Sequence, residues 1–326
     1  MMIKEAEKKI TVSKALAPRK VITAKRGRRK VIRAKRHEPK ASAIGLLKKK
    51  KYISEIDKDD VNNILAGVEY VEDLYKFYKL EEISSPIGDY MDQQTEIDVH
   101  RRLALVEWLI GVHPPKVKIL VPSLVKGPIR DLFLAVHIVD RYLELNLVAL
   151  KDLLLLGLSV MLIAGKYEED YPPAVEEYVT ISFGRYNREQ ILGMEKLILE
   201  DLGWSLTVPT TYHFLVRFIK AAGADNEMEN LVFFMAEVGL MQYEITRYCP
   251  SMFAASAIYA AKLHLKMTPV WNETLEFHTG YSEPEVTECA QKLLSFHSEA
   301  VDHHRIAYWS YMSRARTMQL YYNQGI

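Results

Sequence analysis

From Asp59 onward the apolar positions recur at helical spacing. Val61, Ile64, Leu65, Val68, Val71, Leu74, Tyr75 and Tyr78 share one helical face, which predicts an upstream helix over Asp60 to Leu80. Ser54, Asp57 and Asp59 are credible caps for it. A break follows at Ser84-Ser85-Pro86-Ile87-Gly88. The next helix spans Ile97 to His113, with Ile97, Leu105, Trp108, Leu109 and Val112 as its stripe. Pro114 to Arg130 holds four prolines, four basic residues and no acid, and reads as a loop. Helices resume at Leu132–Leu145, Leu150–Gly165, Ala174–Val179 and Arg188–Leu202, the last with Asn187 as its cap. After Pro209 a second set follows: Tyr212–Ala222, Asn226–Met241, Ser251–His264, Glu273–His278 and Glu283–His303. Almost nothing alternates with the period of two that strands need. The fold class is all-α.

Each set contains one helix that is apolar nearly all round, Leu153 to Ala164 and Met252 to Ala261. Such a helix belongs at the centre of a bundle, encircled by its neighbours. Two five-helix bundles in tandem are the simplest arrangement. The longest apolar run, Leu153 to Gly165, is too short to cross a bilayer, which takes about 20 residues. No membrane association is expected. The lysine-rich start, without an apolar core, is not a secretory signal.

Charge divides the chain. Residues 1–51 carry 19 Lys and Arg against 3 acids, and the remainder is net acidic. This density of like charge predicts a disordered basic tail. Lys25, Arg26, Arg28, Arg29 and Lys30 form a cluster of the kind read by nuclear-import receptors. The tail lacks interleaved aromatics, so no specific nucleic-acid binding is expected. The two cysteines, Cys249 and Cys289, form no C-x-x-C pair, and both read as reduced core thiols in apolar helices.

The chain shows no glycine-rich phosphate loop, no G-x-S-x-G elbow and no H-E-x-x-H. His297, His303 and His304 lack any fixed metal spacing and read as solvated or capping residues. Glu168, Glu169 and Asp170 read as a solvated turn. Neither a metal nor a cofactor is expected, and an all-helical scaffold without a catalytic constellation points to a binding module.

Several long segments then resemble one family. Tyr90 to Asp98 resembles the entry to the cyclin box. Arg101-Arg102-Leu103-Ala104-Leu105-Val106-Glu107-Trp108-Leu109, His137 to Leu143, Met161 to Glu169 and Gln190 to Glu195 follow in the family's order. With Asp60 to Leu80, Val208 to Lys220 and Trp271 to Pro284, the likeness is to plant B-type mitotic cyclins. The resemblance implies a basic tail (1–51), an upstream helix and linker (52–95), two cyclin boxes (96–206 and 207–305) and a C-terminal tail (306–326). It implies a regulatory subunit, not itself an enzyme, that binds and activates a cyclin-dependent protein kinase at G2/M, with the nucleus as its expected location and the cytoplasm as a second.

The resemblance also assigns residues. Lys166 and Glu195 match the pair that contacts the kinase. Arg102 and Asp140 match a buried structural ion pair. Leu105 and Trp108 match a docking patch for Arg-x-Leu substrates, but Arg101 stands where that patch has a methionine. Gly111 replaces its acidic neighbour and Leu154 its glutamine. The Pro114–Arg130 segment is longer than the family's loop, and residues 1–51 contain no R-x-x-L destruction box. These departures keep a second reading open, a divergent cyclin-like interaction protein that binds without activating. A transcription-initiation factor of similar fold would need an N-terminal zinc ribbon, for which there are no cysteines.

Overall fold

The computed structural model describes residues 56–84, 86–112 and 127–303. Among them there are eleven α-helices and no strand. The first is α1 (Val71–Ser84). Five form the first bundle: α2 (Val99–Val112), α3 (Gly127–Leu145), α4 (Leu153–Glu168), α5 (Val175–Ile181) and α6 (Arg188–Asp201). Five form the second: α7 (Thr211–Ala222), α8 (Asn226–Met241), α9 (Pro250–His264), α10 (Glu273–Thr279) and α11 (Glu283–His303). The basic tail, with its Lys25–Lys30 cluster, the 113–126 segment and residues 304–326 lie outside the described residues.

The two uniformly apolar helices take the central places. In α4, Leu156 to Gly165 is buried without a break, and in α9 so is Ser251 to Lys262. Each fully buried Leu or Ile contributes about 1.5–3 kcal/mol, which is why these helices are surrounded. α3 and α6 flank α4, while α7, α8 and α11 flank α9. Two glycines permit close crossings. A methyl at Gly157 of α4 would come within 2.7 Å of Leu105 and 3.2 Å of Trp108 on α2. A methyl at Gly239 of α8 would come within 2.6 Å of Phe253 on α9.

The helix starts follow local chemistry. The Asn187 side chain accepts from Gln190 N at 2.9 Å and Gln190 Oε1 accepts from Asn187 N at 3.0 Å, a reciprocal cap for α6. Asp98, Asp225 and Asn272 cap α2, α8 and α10 from one side only, each side chain accepting from the N–H three residues on, each cap worth about 1 kcal/mol.

The structure corrects several expectations. The upstream helix does not run from Asp60. Short 3-10 turns occupy Lys58–Asp60, Ile64–Ala66 and Val68–Tyr70, and α1 begins at Val71. Asn63 bonds Leu65 N, and Gly67 takes a left-handed conformation at φ 53°, so the helix cannot propagate through this stretch. Ile64 and Leu65 are left exposed. α3 starts at Gly127, inside the expected loop. Pro128 lies in its first turn, where the missing N–H costs nothing. Cys249 is the residue before α9, free and half-buried against the core, and its Sγ also lies 3.3 Å from the Tyr281 hydroxyl. Cys289 is buried, and burial pushes its pKa up to about 12.

α1 packs on the second bundle. Tyr75 donates to the His213 carbonyl at 2.7 Å. Upstream of α1, Asp57 receives both guanidinium nitrogens of Arg217, at 2.5 and 2.8 Å. At the other end of α1, buried Glu82 accepts from Ser251 N at 2.9 Å and Ser251 Oγ at 2.6 Å. A carboxylate is thereby seated at the N-terminus of α9, where the helix dipole favours it. Lys79 donates to Ser251 Oγ at 2.7 Å and lies 4.0 Å above the Tyr281 ring, and burial lowers its pKa.

Candidate functional site: an ion pair on an apolar rim

Lys166 sits in the last turn of α4, where a cation meets the helix dipole favourably. α6 packs beside α4 and brings Glu195, two turns past its cap, to the same surface. Lys166 Nζ donates to Glu195 Oε1 at 2.8 Å. The lysine side chain is 47% exposed and the glutamate 13%. Each partner thus has the other as its counterion, and the ammonium still faces water. A half-exposed pair of this kind is worth about 0–1 kcal/mol, so an incoming partner with better-aligned dipoles can displace it.

Apolar side chains lie near the two residues along α4 and α6 and just beyond α6. Tyr167 is 45% exposed, and its hydroxyl lies 2.7 Å from Thr207 Oγ1, which ties α4 to the segment after α6. Leu199 stands one turn beyond Glu195, half-buried. Trp204 is 68% exposed in a left-handed conformation, with its backbone N–H donating to the Leu199 carbonyl at 2.9 Å. Exposed aromatics around a charged pair are the composition of a protein-binding surface. Sequence reading passed over Tyr167 and Trp204, since either fits a helix-end core position; the φ of +60° at Trp204 turns its ring outward.

Behind Lys166 the acidic triplet is not a solvated turn. Glu168 is paired with Arg130 of α3 at 2.7 Å, and Arg130 also donates to the Glu168 carbonyl. The Glu169 carboxyl is hydrogen-bonded to Asp131 of α3. Burial and that neighbour push its pKa up to about 8, so the two carboxyls share a proton at neutral pH. Asp170 alone is exposed.

Arg102 and Asp140 form a buried bidentate pair, Nε to Oδ1 at 2.7 Å and the second nitrogen to Oδ2 at 2.8 Å. Arg102 also donates to the carbonyls of Leu240 and Met241, at 3.0 and 3.1 Å, and Tyr90 donates to Asp140 at 2.6 Å. The guanidinium caps the C-terminus of α8 from the first bundle. Leu105 is buried and Trp108 half-buried, both packed over Gly157, whereas Arg101 is exposed and paired with Asp98 at 2.7 Å. His297 is half-buried, not fully solvated: its ring packs 4.7 Å from that of His264 and 5.4 Å from that of Phe234, and burial lowers its pKa. Among the described residues no group of three or more His, Cys, Asp or Glu could hold a metal, and no helix is long and apolar enough to cross a membrane.

Two family profiles match this architecture, "Cyclin, N-terminal domain" over residues 73–207 and "Cyclin, C-terminal domain" over residues 209–321. The chain belongs to the cyclin family. Within it the similarity is to the G2/mitotic and B-type cyclins of plants. The chain is 50% identical over 265 residues to G2/mitotic-specific cyclin-2 of Antirrhinum majus, covering 81% of this chain and 58% of that protein. It is 45% identical over 274 residues to Cyclin-B1-2 of Arabidopsis thaliana, covering 84% and 59%. With G2/mitotic-specific cyclin S13-7 of Glycine max it shares 50% over 226 residues, covering 69% and 84%. The chain therefore spans a little under three fifths of the length of the first two of these relatives. The structure of a viral cyclin from herpesvirus saimiri shares the fold, with a TM-score of 0.58 at 22% identity over 69% of this chain and 96% of that one.

Proposed function

We propose that this chain is the regulatory subunit of a cyclin-dependent protein kinase acting at G2/M, and that it has no catalytic role of its own. The observation that carries the reading is the Lys166–Glu195 pair, half-exposed at its lysine, with exposed Tyr167 next to Lys166 in the chain. On the family resemblance, this surface meets the kinase helix that carries the glutamate of the active-site lysine–glutamate pair. Lys166 leaves Glu195 to donate to carbonyls at the end of that helix. Glu195 accepts from a basic kinase side chain. Tyr167, Leu199 and Trp204 bury apolar area around them. Docking shifts the kinase toward the state in which its ion pair is assembled, which phosphoryl transfer requires.

The alternative is a subunit that binds without activating. The Arg-x-Leu patch favours it on one point: Arg101 stands in the sequence where the patch has a methionine, its head is paired with Asp98, and Leu105 is buried. Mixing the purified chain with a plant cell-cycle kinase separates the two readings. Histone phosphorylation that rises with added chain supports activation; a stable complex without phosphorylation supports the alternative; no complex with any candidate kinase removes both. We also propose nuclear import through Lys25, Arg26, Arg28, Arg29 and Lys30. Replacing these five with alanine in a fluorescent fusion should shift the protein out of the nucleus.

A further inference from the structure

A cleft lies where α1, α3, α8 and α9 converge with the segment joining the bundles. Its cavity volume is about 110 Å³. Much of its wall is apolar, with Phe133, Val136, Pro209 and Phe253 among the lining residues. Its polar lining groups divide into two kinds. Arg102 and Asp140 satisfy each other, Glu82 is satisfied by Ser251, and Glu81 accepts from the Ser84 hydroxyl. Two others are not satisfied: Arg247 Nε and His137 Nε2 are sealed from solvent and have no hydrogen-bond partner.

Buried polar atoms without partners are rare in native proteins, and each one asks for an explanation. Two in one cleft, from elements far apart in sequence, call for a partner supplied from outside. Arg247 is cationic at every accessible pH. His137 is neutral, because burial and then Arg141 hold its pKa at about 4, so it contributes a neutral N–H or a lone pair. Arg102 neutralises Asp140 and Lys79 stands 3.8 Å from Glu82, which leaves the Arg247 Nε–H as a buried charged donor among greasy walls, a lining suited to a small molecule.

We propose that this cleft binds a small amphiphilic anion: an aromatic or branched apolar body against Phe133, Val136 and Phe253, with one acidic group on Arg247 and His137. The site is separate from the Lys166–Glu195 surface and does not depend on the kinase reading.

The test titrates the full chain with 1-anilinonaphthalene-8-sulfonate, and with N-phenyl-1-naphthylamine, its analogue without the sulfonate. The wild type should bind one sulfonate probe saturably. Arg247→Gln should weaken it by about tenfold or more, as expected for a charge-assisted hydrogen bond, and change the neutral probe by less than about twofold. Thr246→Trp, which adds bulk at a lining residue, should abolish both. Circular dichroism and the thermal midpoint establish that each variant is folded. If Arg247→Gln does not fold, Arg247→Lys replaces it, with a smaller but measurable weakening expected. Non-saturable binding, equal loss of both probes in a folded Arg247 variant, or an affinity unchanged from wild type would overturn the proposal.

Discussion

The Arg102 guanidinium is shared between the two bundles: two of its nitrogens hold Asp140 of α3, and the third reaches the last carbonyls of α8. One side chain thus neutralises a buried carboxylate and caps a helix of the other bundle. Arg102→Met strands Asp140 and those carbonyls, at a cost of about 3–5 kcal/mol. Adding Asp140→Leu removes the stranded charge, so the double variant should be more stable than Arg102→Met alone. Urea unfolding of the four proteins of the cycle checks this.

Glu82 ties α1 to the second bundle through the N-terminus of α9. Glu82→Ala removes the carboxylate that caps Ser251 N and accompanies Lys79. The expected loss is about 1–3 kcal/mol, concentrated in α1. Hydrogen exchange should accelerate over Val71–Ser84 before it does so in α4.

The Glu169 carboxyl carries a proton that it would lose in the unfolded chain. Its folded pKa, raised to about 8 by burial and Asp131, lies above its unfolded value of 4.5. The folded state binds more protons between those limits, so this group's contribution is full below about pH 4.5 and is lost as pH rises through 8. Glu169→Gln keeps the hydrogen bond without the titration. The stability of the variant relative to wild type should therefore rise between pH 5 and pH 8. The difference between the two curves isolates Glu169 from the buried histidines His137, His213 and His297, whose lowered pKa values give the opposite slope at the acid end. A pH-independent difference would exclude the shared proton.

Gly239 faces Phe253 and Leu293, which would lie 2.6 and 2.8 Å from an added methyl. Gly239→Ala should cost about 1–3 kcal/mol by overpacking, whereas Gly193, with nothing within 4 Å, should accept alanine with no loss. Thermal unfolding of the two variants makes the comparison.

Most helices were legible because each carries its own signals. Asn187 and Gln190 announce α6, and the unbroken apolar run of α4 announces a central helix. The upstream helix was misread because periodicity over Val61–Leu65 ignores one glycine, Gly67, that the backbone needs in a left-handed conformation. The fate of Glu168 and Glu169 was invisible because Arg130 and Asp131 lie 38 positions away and meet them only after packing. Lys166 and Glu195 were found by resemblance; their own residue types and spacing carry no such signal. The Arg247–His137 cleft has no sequence signature, since it exists only where α1 and both bundles converge.

The Lys166–Glu195 pair admits a test that spares the fold. Exchanging the two residues, Lys166→Glu with Glu195→Lys, preserves an ion pair at this surface and reverses both charges offered to a partner. The thermal midpoint should stay within about 2 °C of wild type, since such pairs contribute little. The affinity for the cognate cyclin-dependent kinase, measured by calorimetry, should fall by about a hundredfold or more, as reversed charges now face the kinase helix. An exchanged variant that binds and activates the kinase as the wild type does would contradict the account.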